Sequence, residues 1–206
     1  MRVAILGGTG SFGQALATRL VAAGADTVVI GSRDAERAQA AAAELGCEGA
    51  TNADAVQGAD LVVLAVKANA ALSTAEEVAD ALGETPLLSV ASALQFSPDG
   101  VCPDPDRLSI AERVADVVSA PVAAGLHTLA AANLAADPPE EDALVCADDA
   151  RAKELSLELA GRVVSGRALD AGPLASARTL EGLTAVIVNL NRRYEGHAGI
   201  RVTGLP

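Results

Sequence analysis

A run of glycines directly after the first apolar segment constrains the fold of this 206-residue chain more than any other feature. Residues 2–6 (RVAIL) are predicted to form a short strand, and residues 7–13 read GGTGSFG. A helix is predicted from Gln14 to Ala23, because apolar residues recur four positions apart on one face. A strand that passes through a glycine-rich turn into a helix is the beginning of a strand–helix–strand unit.

Three of these glycines, Gly8-x-Gly10-x-x-Gly13, have the spacing of a loop that binds the diphosphate of a dinucleotide. Gly8 is expected to permit the tight turn, Gly10 to let the backbone approach the diphosphate, and Gly13 to allow helix and strand to pack closely. The start of the following helix is expected to supply free N–H groups and a partial positive charge. The alternative interpretation is a glycine-rich turn that binds no ligand.

Strands and helices are predicted to alternate along the rest of the chain. The predicted strands are residues 27–30, 59–66, 86–92, 121–127 and 143–147, and the predicted helices are 34–45, 69–82, 109–119, 148–161 and 174–193. This alternation predicts an α/β fold with a doubly wound parallel sheet. Residues 1–120 are expected to form a dinucleotide-binding domain and residues 121–206 a small C-terminal α/β extension. The Pro- and Asp-rich residues 94–108 are predicted to be a long loop with a functional or partner-facing role.

Charge and hydropathy limit the partners of the chain. The formal net charge of −12 argues against nucleic acid, which requires a concentrated basic face. The same charge means that a phosphate-bearing ligand needs a local positive pocket. No apolar run reaches the roughly 18 residues that span a bilayer, and the N-terminus enters a strand without the features of a signal peptide. We therefore expect a cytoplasmic protein without membrane contact.

Cysteine and histidine usage argues against disulfides and against a metal site. Cys47, Cys102 and Cys146 are odd in number and include no CxxC pair, as is usual in a reducing compartment. Neither His127 nor His197 has a Cys, an Asp or a second His at ligand spacing. No metal is expected.

Residues 28–37, VVIGSRDAER, indicate which dinucleotide fits beside the glycine loop. The end of the second strand usually carries a carboxylate that holds the ribose hydroxyls of NAD. Here it carries Ser32 and Arg33, with Arg37 one helical turn further on, and these side chains can bind a 2′-phosphate through charge-assisted hydrogen bonds. The sequence therefore predicts NADP(H), whereas an ordinary helix start with solvated arginines is the alternative.

Two later segments are candidates for the substrate side of the site. His127 ends a predicted strand in AGLHTLAAANL, and ligands sit at the carboxyl edge of a parallel sheet. A substrate contact and a hydrogen-bonded structural histidine both remain open for it. The segment DAGPLASARTLEGLT opens the most apolar predicted helix, whose low-charge run LTAVIVNL favours burial against another subunit.

Taken together, six segments resemble the NADPH-dependent coenzyme F420 reductases, also called F420-dependent NADP oxidoreductases. The segments are MRVAILGGTGSFGQALATRL, VVIGSRDAERA, AAGLHTLAAANL, LVCADDARAK, LDAGPLASARTLEGLTAVIVNLN and GIRVTGLP. They run along almost the full chain, and the pairing of LHT with LDAGPL is more specific than the glycine loop. The resemblance implies a Rossmann domain, a smaller C-terminal part that contributes to a deazaflavin pocket and a subunit interface, and a homo-oligomer.

The resemblance also implies roles for individual residues. The family's diphosphate loop corresponds to Thr9, Gly10, Ser11 and Phe12, and its 2′-phosphate site to Ser32, Arg33 and Arg37. Positions around the nicotinamide half correspond to Val66, Ser92 and Ala131. Positions that line the deazaflavin pocket correspond to His127, Arg178 and Thr184. Gly182 departs from the family, which has a serine there, and so does VKANA after the strand that ends near Val66.

The expected activity is hydride transfer between NADP(H) and the deazaflavin of coenzyme F420. Such transfer needs neither a nucleophile nor a metal, since the coenzymes carry the chemistry and the protein aligns them. His127 is expected to hydrogen-bond the deazaflavin edge and to help balance the charge that develops there. One alternative is an NADP-dependent reductase of a small imine or ketone, with His127 or Lys67 as proton donor. The other is a non-catalytic NADP-binding redox sensor that holds a partner with residues 94–108.

Overall fold

The computed structural model describes residues 1–24 and 27–205. The strands are β1 (Arg2–Leu6), β2 (Thr27–Ser32), β3 (Glu48–Thr51), β4 (Leu61–Leu64), β5 (Leu87–Ser89), β6 (Leu94–Ser97), β7 (Gly100–Pro103), β8 (Val122–Gly125), β9 (Ala143–Ala147) and β10 (Ala168–Asp170). The α-helices are α1 (Ser11–Ala22), α2 (Ala35–Leu45), α3 (Asn52–Ala55), α4 (Ala68–Leu82), α5 (Ile110–Ala115), α6 (Ala131–Ala135), α7 (Ala150–Val163) and α8 (Ala177–Tyr194). A 3-10 turn (Leu174–Ser176) leads into α8. None of the helices in these ranges is long and apolar enough to cross a membrane.

Eight strands form one sheet in the order β10-β9-β8-β5-β4-β1-β2-β3. The six strands from β3 to β8 in this order are parallel, which confirms the expected α/β class with a mostly parallel sheet. The proposed boundary at residue 120 stays a prediction, and β8, which follows it, pairs directly with β5.

The last two strands run in the opposite direction, which differs from the expected fully parallel sheet. β9 is antiparallel to β8, and β10 is parallel to β9. A parallel connection needs a crossover helix over the sheet. The connection between β8 and β9 contains only the five-residue helix α6, so the chain returns beside β8. Helix α7 supplies the full crossover between β9 and β10.

Alternate side chains of the central strands enter two apolar layers, one on each face of the sheet. Val3 and Ile5 pack with residues of α1, α2 and α7. Ala4 and Leu6 pack with residues of α3, α4, α5 and α8. A strand that is buried on both faces reads as a continuous apolar run, as β4 does. The sheet is therefore covered by helices on both faces, as in a doubly wound fold.

The prediction that residues 94–108 form a loop is wrong for their first part. Residues Leu94–Ser97 and Gly100–Pro103 pair as the antiparallel hairpin β6–β7. The side-chain amide of Asn189 on α8 completes this hairpin, since Oδ1 accepts from the Val101 N–H at 2.8 Å and Nδ2 donates to the Val101 carbonyl at 2.7 Å. A partner that lies 88 positions away in sequence cannot be inferred from local composition.

Candidate functional site

The carboxyl ends of five parallel strands lie side by side at one edge of the sheet. Leu6 at the end of β1 pairs with Gly31 of β2 and with Leu64 of β4. Leu64 pairs with Ser89 of β5, which pairs with Ala124 of β8. Predicted site residues come directly after these ends, in chain order Gly8 to Gly13, Ser32 and Arg33, Val66, Ser92, and His127. This edge is where a doubly wound sheet binds its ligand.

The glycine loop after β1 is closely surrounded by backbone. The positive φ of its turn, 77°, falls on Gly7 and not on Gly8. A Cβ on Gly7 would lie 2.6 Å from the Ala65 carbonyl oxygen and 2.6 Å from Val66 Cγ1. A Cβ on Gly13 would lie 2.7 Å from the Gly7 carbonyl oxygen. The loop therefore packs closely against the residues that follow β4, and a side chain at Gly7 or Gly13 would displace it.

The start of helix α1 provides backbone amides that can bind an anion. Gly10 is its N-cap residue and provides no side-chain hydrogen bond. The amides of Ser11, Phe12 and Gly13 form the first turn, where an α-helix has no carbonyl partners for its N–H groups. Ser11 is exposed, and Phe12 is half-buried against the core. Backbone donors and the helix dipole therefore point to the place where a diphosphate is expected.

The end of β2 presents two free cations. Ser32 is buried, and its Oγ accepts a hydrogen bond from the Asp34 N–H at 3.2 Å. The Asp34 carboxylate caps α2 by accepting from the Arg37 N–H at 3.2 Å. The side chains of Arg33 and Arg37 are exposed, and neither guanidinium has a hydrogen-bond or ion-pair partner within residues 1–24 and 27–205. Unpaired arginines next to a buried serine form a site suited to a phosphate.

Asn52, the first residue of α3, is a candidate that the sequence analysis missed. Its side chain is 3% exposed, and its Oδ1 has no hydrogen-bond partner among the described residues. This oxygen lies 3.0 Å from the position that a Cβ on Gly31 would take, directly before Ser32. A buried acceptor without a donor is costly, so it is a candidate to receive a ligand hydroxyl. The signal was hidden because β3, only four residues long with a glycine, was not predicted.

Three polar side chains from different elements form one hydrogen-bonded chain at the far side of the edge. Ser92 Oγ lies 3.2 Å from His127 Nδ1 and 2.8 Å from Thr184 Oγ1. Thr184 Oγ1 also lies 2.9 Å from the His127 carbonyl oxygen. The polar chain Ser92–His127–Thr184 thus joins the turn after β5, the end of β8 and α8. It unites the LHT segment with the helix that follows LDAGPL.

The direction of these hydrogen bonds assigns the tautomer of His127. A carbonyl oxygen only accepts, so Thr184 donates its single hydroxyl proton to the His127 carbonyl. Ser92 must then donate to Thr184 Oγ1, and His127 Nδ1–H must donate to Ser92 Oγ. Nε2 therefore carries a lone pair. It is buried and has no partner among the described residues.

The surroundings keep His127 neutral and fix its backbone. The residue is 7% exposed, and burial lowers its pKa to about 4. The preceding Leu126 has a φ of 63°, a left-handed conformation that is rare for a leucine. Such strained residues cluster at functional sites, where the surrounding structure over-determines them. Near pH 7 the imidazole is thus an acceptor at Nε2 and not a cation.

Arg178 does not contact the polar chain. Its guanidinium donates from Nε to the Asp106 carbonyl at 2.9 Å and from Nη2 to the Asp104 carbonyl, so it ties α8 to the segment after the hairpin. Gly182 faces the end of the hairpin, since a Cβ there would lie 3.5 Å from Pro103 Cγ. Ala131 begins α6, which packs against α1. The roles of Arg178 and Ala131 toward a ligand stay predictions.

The protein has a doubly wound sheet with a glycine loop, free arginines after β2 and a half-buried polar chain at one edge. These features are those of a Rossmann-type, dinucleotide-dependent oxidoreductase. Residues 2–93 match the family model described as "NADP oxidoreductase coenzyme F420-dependent". The chain is 36% identical to the F420-dependent NADP reductase of Methanothermobacter thermautotrophicus, over 100% of this chain and 96% of that protein. It is 34% identical to the F420-dependent NADP reductase of Methanocaldococcus jannaschii, over 100% and 99%. The chain belongs to the F420-dependent NADP reductase family.

One solved structure agrees with this family, and another shows that the fold also occurs in a different reductase. The crystal structure of a protein described as an F420-dependent NADP reductase from Arthrobacter sp. FB24 has a TM-score of 0.85 and 26% identity, and the match covers 99% of this chain and 100% of that one. A pyrroline-5-carboxylate reductase from Coxiella burnetii has a TM-score of 0.67 at 16% identity, over 94% of this chain and 65% of that one. At that identity the second likeness shows the fold alone.

Proposed function

We propose that this protein transfers a hydride between NADP(H) and coenzyme F420 at the carboxyl edge of its sheet. The observation that carries the proposal is the polar chain Ser92–His127–Thr184. It joins the two most family-specific segments of the sequence and leaves one buried acceptor, His127 Nε2, without a partner. The family relationship supports the same two coenzymes.

The residues present fit an NADP(H) molecule along the first half of the edge. The glycine loop and the first amides of α1 receive the diphosphate, and Ser32, Arg33 and Arg37 receive the 2′-phosphate. Val66 follows β4 and Ser92 follows β5. With the diphosphate and the 2′-phosphate placed in this way, the nicotinamide half of NADP(H) is expected beside Val66 and Ser92. When bound, the nicotinamide and the deazaflavin would supply the two carbons between which the hydride passes. The protein's part is to hold the two reacting carbons about 3–3.5 Å apart and to exclude water.

His127 orients the deazaflavin by accepting a hydrogen bond at Nε2. The pyrimidine ring of a deazaflavin carries an N–H donor, and a lone pair in a buried site selects such a donor. Because the imidazole of His127 is neutral near pH 7, it holds the edge of the deazaflavin without supplying a proton. The hydrogen bond to the deazaflavin edge is the role expected from the sequence, and a neutral imidazole contributes to it without a positive charge of its own.

One assay tests the function against its alternatives. The protein is mixed with NADPH and oxidised F420, and the visible absorption band of the deazaflavin is followed. We expect the band to disappear with turnover. Saturable NADPH binding without loss of the band contradicts the proposal. Turnover of a small imine or ketone would instead support a reductase of that class, and binding without any turnover would support a redox sensor. The comparisons favour neither alternative.

Replacement of His127 by phenylalanine is expected to raise the KM for F420 by about 10-fold, because a buried N–H of the ligand loses its acceptor. Phenylalanine keeps a ring of similar size in the site. NADPH binding, measured by fluorescence titration, is expected to stay within about 2-fold of wild type. His197→Phe, which changes an exposed histidine, is the matched control. Equal losses for both coenzymes would contradict the assignment.

A homo-oligomer is part of the proposal. Val186, Leu190 and Tyr194 are spaced four apart on α8 and are 52%, 39% and 73% exposed, and Phe96 on the hairpin is 64% exposed. An exposed apolar stripe of this kind is typical of an interface. We expect light scattering to give at least twice the chain mass of 20.5 kDa. Leu190→Glu is expected to reduce that mass, whereas the control Leu205→Glu is not, and a monomeric wild type would contradict the proposal.

A cytoplasmic location completes the proposal. NADP(H) and F420 are coenzymes of the cell interior, and Cys47, Cys102 and Cys146 are free thiols. Free thiols persist in a reducing compartment.

A further inference from the structure

Glu181 is a buried carboxylate on α8 to which no role in the site has been assigned. Its side chain is 1% exposed, and its Oε1 accepts a hydrogen bond from the Ile110 N–H at 2.7 Å. Ile110 is the first residue of α5, so the carboxylate supplements the local cap formed by Ser109 and Glu112. Burial raises the pKa of Glu181 to about 7, although the amides of Ile110, Ala93 and Ala111 act to lower it.

The position of Glu181 connects both ends of the polar chain. Ala93, whose amide interacts with the carboxylate, directly follows Ser92. Thr184 lies three residues after Glu181 on the same helix, and residues at this spacing are neighbours on one face. One side chain therefore acts on the backbone next to Ser92 and on the helix that carries Thr184. The contact between the two hydroxyl oxygens is 2.8 Å.

The charged groups around Glu181 do not neutralise it. Arg178, one turn earlier on α8, lowers the pKa of Glu181. Its guanidinium, however, donates its hydrogen bonds to the Asp104 and Asp106 carbonyls. On α5, Glu112 accepts from the Ser109 N–H and hydroxyl, and Arg113 lies 3.5 Å from the Asp106 carboxylate. Among the described residues, no cation forms an ion pair with Glu181. A buried carboxylate without a paired cation is costly to keep ionised.

We infer that Glu181 is a positioning residue of the hydride-transfer site. It fixes the Ala93 amide and the start of α5 against α8, and so keeps Ser92 and Thr184 at the spacing that orients His127 toward the deazaflavin. The inference rests on the proposed function. An ionised carboxylate accepts from several amides at once, whereas its protonated form and a glutamine each turn a donor toward them.

The test compares Glu181→Gln with wild type between pH 6 and pH 8. Glutamine reproduces the protonated side chain at every pH. We expect the KM for F420 in Glu181→Gln to equal that of wild type at pH 6 and to exceed it by about 5- to 10-fold at pH 8, the worth of one or two lost hydrogen bonds. The KM for NADPH is expected to be the same in both proteins at both pH values. Because both proteins meet the same F420, ionisation of the coenzyme cancels in the ratio.

Glu112→Gln is the matched control, since it removes a carboxylate from the first turn of α5, the helix whose start Glu181 contacts, without touching Ala93. Its ratio of F420 KM to wild type is expected to stay near 1 at both pH values. A ratio for Glu181→Gln that does not change with pH, an equal change in the KM for NADPH, or the same behaviour in Glu112→Gln would each overturn the inference. Wild-type protein that does not reduce F420 would overturn the proposed function itself, and this inference with it.

Discussion

Replacing Gly7 by alanine is expected to weaken NADPH binding by about 10- to 150-fold, the worth of a hydrogen bond to a charged group, because the displaced loop loses backbone contact with the diphosphate. The φ of Gly7 is 77°, and a Cβ would lie 2.6 Å from the Ala65 carbonyl oxygen. The obstacle is backbone, which cannot rotate away like the end of a flexible side chain. The loop must therefore lift from β4 into the space for the diphosphate. Titration of NADPH by fluorescence measures the loss.

Gly58→Ala separates strain from collision. Gly58 has a φ of 67°, and nothing lies within 4 Å of its Cβ position. In both variants the alanine must adopt a left-handed backbone conformation, which lowers the free energy of unfolding by about 1–2 kcal/mol. Only Gly7→Ala is expected to lose NADPH affinity. Equal NADPH affinity in the two variants would show that the close approach of Gly7 to β4 is not what shapes the loop.

Replacing Arg33 by alanine is expected to weaken NADPH by about 1.5–3 kcal/mol, or ~10- to 150-fold, the worth of a hydrogen bond to a charged group. The guanidinium has no partner among the described residues, so its removal breaks no ion pair of the fold. NADH lacks the 2′-phosphate, and its affinity is expected to stay nearly unchanged. Parallel titrations of the two nucleotides measure the difference.

Arg151→Ala is the control for the loss of one positive charge from a chain with a net charge of −12. Arg151 is exposed on α7, at the other side of the sheet order from β2. It is expected to affect neither nucleotide. Equal losses of NADPH and NADH in Arg33→Ala would mean that Arg33 does not bind the 2′-phosphate.

The central parallel strands of the sheet could be predicted because they are buried on both faces. Runs such as LVVL in β4 are apolar at every position, and each is followed by a helix with one apolar face. The short edge strands β3 and β10 give no such signal, since EGAT and ALD lack an apolar run. The direction of β9 is reversed because α6 is too short to cross the sheet, and the length of the connection between β8 and β9 does not reveal the length of α6.

Some residues of the site could be predicted from the sequence, and others at the same edge of the sheet could not. The glycine loop and Arg33 follow from local spacing, because a diphosphate and a 2′-phosphate are recognised within one strand–helix–strand unit. The polar chain joins residues that are 35 and 92 positions apart, and the family resemblance implied a shared pocket for His127 and Thr184 but placed Ser92 beside the nicotinamide. Neither spacing nor resemblance pointed to Asn52 or Glu181. Their signal is burial of a polar atom, which exists only once the chain has folded.

The pairing of Asn189 with Val101 has a consequence for how the structure opens. A two-stranded hairpin alone is marginal in water. Here a helix side chain presents an amide to it as a third strand would, through bonds of 2.8 Å and 2.7 Å. We therefore expect the hairpin and α8 to exchange their amide hydrogens as one cooperative unit, although most hairpin residues other than Val101 are exposed. Any ligand that slows the opening of α8 protects the hairpin to the same degree.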